Sequence, residues 1–192
     1  MSPSLTAAPG TPARHRPAGP PGEPAVSRPV RWAAHAAALT LVPSGLWRCA
    51  VAFGMPSGFA EGTPLHESNF PGPTSLNLIG LSVFAECLGL LTLGLVQSWG
   101  ERLPRWVPWL GGRRIPTLAA VVPALLGAAV VTAITVAAAC GGWQRQMDLP
   151  ESPKGALATL MTVCYAPLLA WGPLLALVTV AYYRRRRGTR AR

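Results

Sequence analysis

The chain predicts an all-α membrane protein, with four transmembrane helices in a bundle and both the N-terminus and the C-terminus cytoplasmic. Three observations carry this expectation. Four apolar stretches, roughly residues 32–53, 76–97, 116–140 and 156–183, each reach the length of about 20 apolar residues that a hydrocarbon core of about 30 Å requires. The connections between them alternate between rich and poor in Arg and Lys. Composition agrees, because 50% of the residues are hydrophobic and only 12% charged, which fits a chain solvated mostly by lipid.

Residues 1–31 precede the first stretch. Eight prolines fall within the first 30 residues, with no apolar periodicity, so this segment cannot bury enough surface to offset its chain entropy and reads as a disordered cytoplasmic tail. A signal peptide ending near Ala50-Val51-Ala52 is the rival reading. It is disfavoured because the leader would be very long and Arg48 interrupts the apolar region before the cut.

Charge orients the spans, since Arg and Lys flanking a span tend to stay cytoplasmic. Arg14, Arg16, Arg28 and Arg31 precede the first span; Arg102, Arg105, Arg113 and Arg114 lie between the second and third; Arg184, Arg185, Arg186, Arg187, Arg190 and Arg192 follow the fourth. These make fourteen of the 17 cations. The loop from Gly54 to Ser75 carries no Lys or Arg, and in the loop from Gly141 to Gly155 Arg145 and Lys154 are offset by Asp148 and Glu151. Both ends are therefore expected inside, with two short loops outside. Trp32, Trp99, Trp106, Trp109, Tyr182 and Tyr183 then fall near the inner interface and Trp143 near the outer one, where an apolar ring keeps its polar edge wet. Residues 104–116, with Pro104, Pro108 and Pro116 between tryptophans and arginines, are expected along the inner surface. Residues 184–192 form a basic cytoplasmic tail, read either as a stop-transfer anchor or as a contact for anionic lipid. The formal charge of +10 does not imply nucleic acid, because the cations sit in tails and short loops beside apolar spans.

Candidate functional residues are those that hydrocarbon should exclude, since an ionisable group at mid-bilayer costs at least about 2.5 kcal/mol. They are Arg48, Glu86 and, at the inner end of the first span, His35. At 1.5 Å of rise per residue, Arg48 counted from Phe53 lies roughly 8 Å below the outer end and Glu86 counted from Leu76 roughly 15 Å below it, within the reach of an extended Arg. Thr40, Ser44 and Arg48 recur every four residues, while Ser82, Glu86 and Gly89 share another face. Two such stripes on sequential antiparallel spans are expected to face each other, with Thr40, Ser44 and Ser82 lining or supporting an Arg48–Glu86 ion pair. Structurally, that pair neutralises its charges and fixes register; functionally, Glu86 would carry a proton or cation in a water-accessible cavity. The third possibility is that Arg48 snorkels outward alone.

Other features are weaker. Pro43-Ser44-Gly45, Pro123, Pro167 and Gly172-Pro173 interrupt spans, as kinks or as cavity linings. Small residues at Ala85 and Gly89, and at Ala128 and Thr132, signal helix contact. Cys49, Cys87, Cys140 and Cys164 form no CxxC and have no His at metal-ligand spacing; Cys49 and Cys140 both approach the outer side, but buried free thiols are commoner than a disulfide there. No cofactor is implied. No base, nucleophile and orienting group share a layer, so an enzyme is the least supported class.

The words GLWRCAVAFG, WGERLPRWVPWLGGRR and CYAPLLAWGPL resemble an uncharacterised actinobacterial family of four-span integral membrane proteins, over about Trp32 to Arg187. The resemblance implies a membrane address and a four-helix fold, with no activity to carry over. Taken together, the sequence leads to a non-enzymatic structural or accessory component of a bacterial plasma-membrane complex, self-associated or partnered because four short spans bury little surface. The competing expectation is a small proton-coupled transporter working through Glu86.

Overall fold

The computed structural model describes residues 26–97 and 116–190, and these are helical, with no strand among them. The N-terminal segment 1–25, Trp99, Trp106, Trp109 and the expected surface segment up to residue 115 lie outside the described residues.

The first apolar stretch is two short helices, α1 (Arg28–Leu39) and α2 (Val42–Ala52), of 12 and 11 residues. Pro43 explains the interruption: it has no N–H to offer the Leu39 carbonyl, and its ring crowds that turn. Thr40 and Leu41 keep right-handed helical dihedrals, so the chain kinks there without reversing. α3 (Pro73–Gly94) follows a long loop and starts with proline in its first turn, where the missing N–H costs nothing. α4 (Thr117–Ala137) is followed by a kink within Ala138–Gly142, where Cys140 and Gly141 leave helical dihedrals and Gly141 takes φ 103°, and then by α5 (Trp143–Asp148). After a short turn come α6 (Gly155–Tyr165) and α7 (Leu168–Arg190), separated at Pro167.

Three helical runs are therefore long and apolar enough to cross a membrane: Pro73–Gly94, Thr117–Asp148 and Gly155–Gly188, of 22, 32 and 34 residues. This corrects the expected four. The first stretch has the composition of a span, but neither half reaches about 20 residues. Two further expectations shift. Part of the outer loop 141–155 is the helix α5, and of the arginines expected in a tail from residue 184, Arg184 to Arg187 and Arg190 continue α7 as helix, while Arg192 lies outside the described residues.

α1 and α2 run antiparallel to α3. A Cβ built on Gly89 would stand 3.5 Å from the Ala38 Cα, one on Gly45 would stand 3.1 Å from Glu86 Oε1, and Arg48 bonds Ser82, so residue numbers fall on α3 as they rise on α1–α2. α4 packs chiefly on α7, and α7 also packs on α1. The α4–α7 contact is a backbone approach: a Cβ on Gly172 would collide with Thr132 Oγ1 and stand 3.0 Å from the Ala128 carbonyl oxygen.

Apolar packing forms three clusters along the bundle. Ala34, Val96, Val121, Val178 and Tyr182 meet at the end bearing the α1 and α7 arginines; Ala37, Leu41 and Trp171 meet at mid-height; Trp47, Val51 and Met161 meet at the opposite, loop end. There the 53–72 loop folds over the helices, with the Ser68 hydroxyl donating to the Val51 carbonyl at 3.2 Å and the Ala60 N–H to the Glu151 carbonyl at 3.0 Å. Outward, α3 and α4 expose Leu76, Phe84, Leu91, Leu118, Leu126 and Ile134. An outward apolar row of this extent suits lipid or another helix.

Candidate functional site

Arg48 lies on the second half of α2 and is 6% exposed. Its Nε–H donates to Ser82 Oγ at 3.0 Å, and the Ser82 hydroxyl in turn donates to the Leu78 carbonyl at 2.8 Å. The polarity is consistent: the single hydroxyl proton serves α3's own backbone, which leaves a lone pair aimed at the cation. On the other side the guanidinium carbon stands 5.8 Å from the centre of the Tyr165 ring, within cation–π range. Tyr165 is held edge-on by Trp47 and tilted by Trp143, each with ring centres 5.6 Å apart, and the Trp143 indole N–H donates to Thr162 Oγ1 at 3.0 Å. A cation on α2 is thus clamped between a hydroxyl of α3 and an aromatic ring of α6.

Glu86 sits one turn further along the same face of α3, half-buried, with Oε1 against Gly45. An added methyl would stand 3.1 Å from the oxygen, so at Gly45 any larger residue would need the carboxylate to give by a few tenths of an ångström. Gly45 belongs to the turn that follows the α1–α2 kink. Among the described residues the carboxylate makes no hydrogen bond, and Arg48 and Glu86 share one seam, a turn apart.

The hydroxyls expected beside these charges are placed as follows. Ser82 bonds Arg48. Ser44 is fully buried and donates to the Leu41 carbonyl at 2.9 Å, and Thr40 donates to the Ala37 carbonyl at 2.7 Å, so both serve their own helix turns around the kink. His35 lies exposed at the arginine end, with Nδ1 2.7 Å from the Arg31 carbonyl. All four cysteines are free thiols, Cys49 and Cys164 half-buried and Cys87 and Cys140 exposed. Among the described residues no three His, Cys, Asp or Glu side chains gather as metal ligands would.

Several site residues went unremarked in the sequence. Tyr165 and Trp47 read there as ordinary span residues and Gly45 only as part of the Pro43-Ser44-Gly45 interruption, and nothing in their spacing marks which neighbour they meet. Trp171 is another: it is buried at mid-height and its indole N–H has no partner. Chemically, the arrangement holds one fixed cation and one less constrained carboxylate along a single seam. The first joins α2, α3 and α6. No known protein family, curated protein or solved structure matches this chain.

Proposed function

We propose that the chain is an integral protein of the bacterial plasma membrane, with both ends cytoplasmic, acting as a non-enzymatic structural or accessory component of a membrane assembly. The observation that carries this reading is the burial of Arg48, 6% exposed, between Ser82 of α3 and Tyr165 of α6. A charge so held joins three elements, and its burial is tolerable only with compensating contacts and a counter-charge. In this reading Glu86, one turn away, supplies that counter-charge, and the two residues together stabilise the bundle.

The kinked α1–α2 pair makes a fourth, broken crossing in this account, since it runs alongside α3 over the stretch from Ala38 to Arg48. Clustering of Arg at one end, against loops that carry only Arg145 and Lys154 at the other, supports the orientation. The open apolar rows of α3 and α4 are the surfaces through which the protein associates with itself or a membrane partner, and its arginine end contacts anionic lipid. In this reading the chain groups with the actinobacterial four-span membrane proteins that its span words resemble.

One observation favours a second reading, a small proton-coupled transporter. Glu86 is half-buried, makes no hydrogen bond among the described residues and faces the glycine after a helix kink, and broken helices beside carboxylates are recurrent in transport sites. A single experiment separates the two. Proteoliposomes carrying the full chain, under an imposed pH gradient, should pass protons no faster than empty liposomes if the structural reading holds. Flux above that background, lost in Glu86→Gln, transfers the conclusion to the transporter.

A further inference from the structure

A cavity of about 260 Å³ opens at the arginine end of the bundle, between the first turns of α1 and the last residues after α3. Its lining is Arg31 and His35 from α1, Gln97 after α3, and Val26 and Val96 as apolar walls. Arg31 and His35 stand one turn apart on a single helix face. The Arg31 carbonyl can only accept, so the His35 Nδ1 at 2.7 Å carries the proton and Nε2 is the ring's remaining polar atom. Next to Val96, the Leu95 carbonyl receives Arg185 Nη2 at 3.3 Å, which brings an α7 arginine beside the cavity.

We propose that this cavity binds the phosphate headgroup of an anionic phospholipid. Charge complementarity selects the class: the Arg31 guanidinium is a charge-assisted donor suited to phosphate oxygens, and no described Asp or Glu lines the cavity. Every described acidic residue except Glu86 lies at the opposite end, as Glu61, Glu67, Asp148 and Glu151. Position selects a lipid over a soluble anion. Val26 and Val96 give the mouth an apolar wall, and Trp32, next to Arg31, is 75% exposed, the disposition of an aromatic seated among headgroups. Arg186 and Arg187 lie over the rings of Tyr182 and Tyr183 at 5.4 and 5.1 Å, extending the cationic surface around the same end.

This inference rests on the membrane reading, and its test keeps the two apart. The full-length protein in a neutral detergent is titrated with short-chain phosphatidylglycerol, short-chain phosphatidylcholine and inorganic phosphate, following tryptophan fluorescence and thermal stability. Phosphatidylglycerol should bind at least about tenfold more tightly than phosphatidylcholine, and Arg31→Gln should remove that preference, as loss of a charge-assisted contact implies. Arg31 is exposed, so its loss leaves the core intact; Arg145→Gln, exposed at the opposite, loop end, should keep the preference. Equal binding of the two lipids, or a preference that survives Arg31→Gln, overturns the proposal. Inorganic phosphate binding as tightly as the lipid overturns the lipid assignment in favour of a free anion. If the chain fails to stay with membranes after carbonate washing, the membrane reading itself has failed; a membrane-retained protein indifferent to headgroup overturns only the site.

Discussion

Gly172→Ala should unlock α7 from α4, and the geometry sets the size of the effect. The new methyl carbon would collide with Thr132 Oγ1 and stand 3.0 Å from both the Ala128 carbonyl oxygen and the Thr132 nitrogen. The hydroxyl could rotate only by giving up its bond to Ala128, and the backbone atoms can yield only if the helices part. Overpacking of this kind costs about 1–3 kcal/mol, and separating the helices forfeits close backbone contacts worth about 0.5–1 kcal/mol. Against this stands the intrinsic preference of a helix for Ala over Gly, about 0.8–1 kcal/mol. The balance is a loss of about 0.5–3 kcal/mol. Gly80 is the control: it is exposed on α3 and a methyl there meets nothing within 4 Å, so Gly80→Ala keeps the propensity gain without the clash. Thermal unfolding in one detergent should move the two variants in opposite directions, and Thr132→Ala should partly rescue Gly172→Ala. Equal stability of Gly172→Ala and Gly80→Ala would refute the packing argument.

Other consequences can be tested with the same material. Ser82→Ala removes the acceptor of a buried cation's N–H and should cost about 1.5–3 kcal/mol in unfolding experiments, whereas Ser82→Thr, which keeps the oxygen, should cost less than half as much; a change under about 0.5 kcal/mol for Ser82→Ala would mean that Arg48 finds water instead. Topology is accessible through Lys154, the sole lysine, which is exposed at the loop end. An impermeant amine reagent on intact cells should label Lys154 and spare the N-terminal amine, and the reverse pattern would invert the orientation.

Hydropathy located the long helices closely because that signal is a property of the local sequence. The second stretch, read as 76–97, is Pro73–Gly94, displaced because Gly72 and Pro73 start the helix earlier; the third, read as 116–140, is Thr117–Ala137. Proline effects were legible in kind and not in place. Pro43 and Pro167 coincide with breaks, while Pro123 and Pro173 sit inside α4 and α7. Whether neighbours compensate a freed carbonyl depends on packing that the local sequence does not encode. Small-residue spacing fared better: Gly89 approaches Ala38, and Ala128 with Thr132 receives Gly172. At the site, depth arithmetic already held a clue, since Ser82, six residues after Leu76, lies roughly 9 Å deep, nearer to the roughly 8 Å of Arg48 than Glu86 is. Tyr165 was beyond reach, because a ring from the last apolar stretch meets Arg48 only through the tertiary fold.

The central claim is that Arg48 and Glu86 serve the stability of one seam together, and a double-mutant cycle on unfolding free energy, with Arg48→Gln, Glu86→Gln and both, addresses it directly. Residues that share one charge or hydrogen-bond network couple by about 0.5–3 kcal/mol in such cycles. The account predicts that each single change destabilises, and that the double variant is more stable than the sum of the two losses by that amount. If Glu86→Gln leaves stability unchanged or raised, with coupling to Arg48 below about 0.5 kcal/mol, the carboxylate is not there to hold the bundle, and the structural account is contradicted.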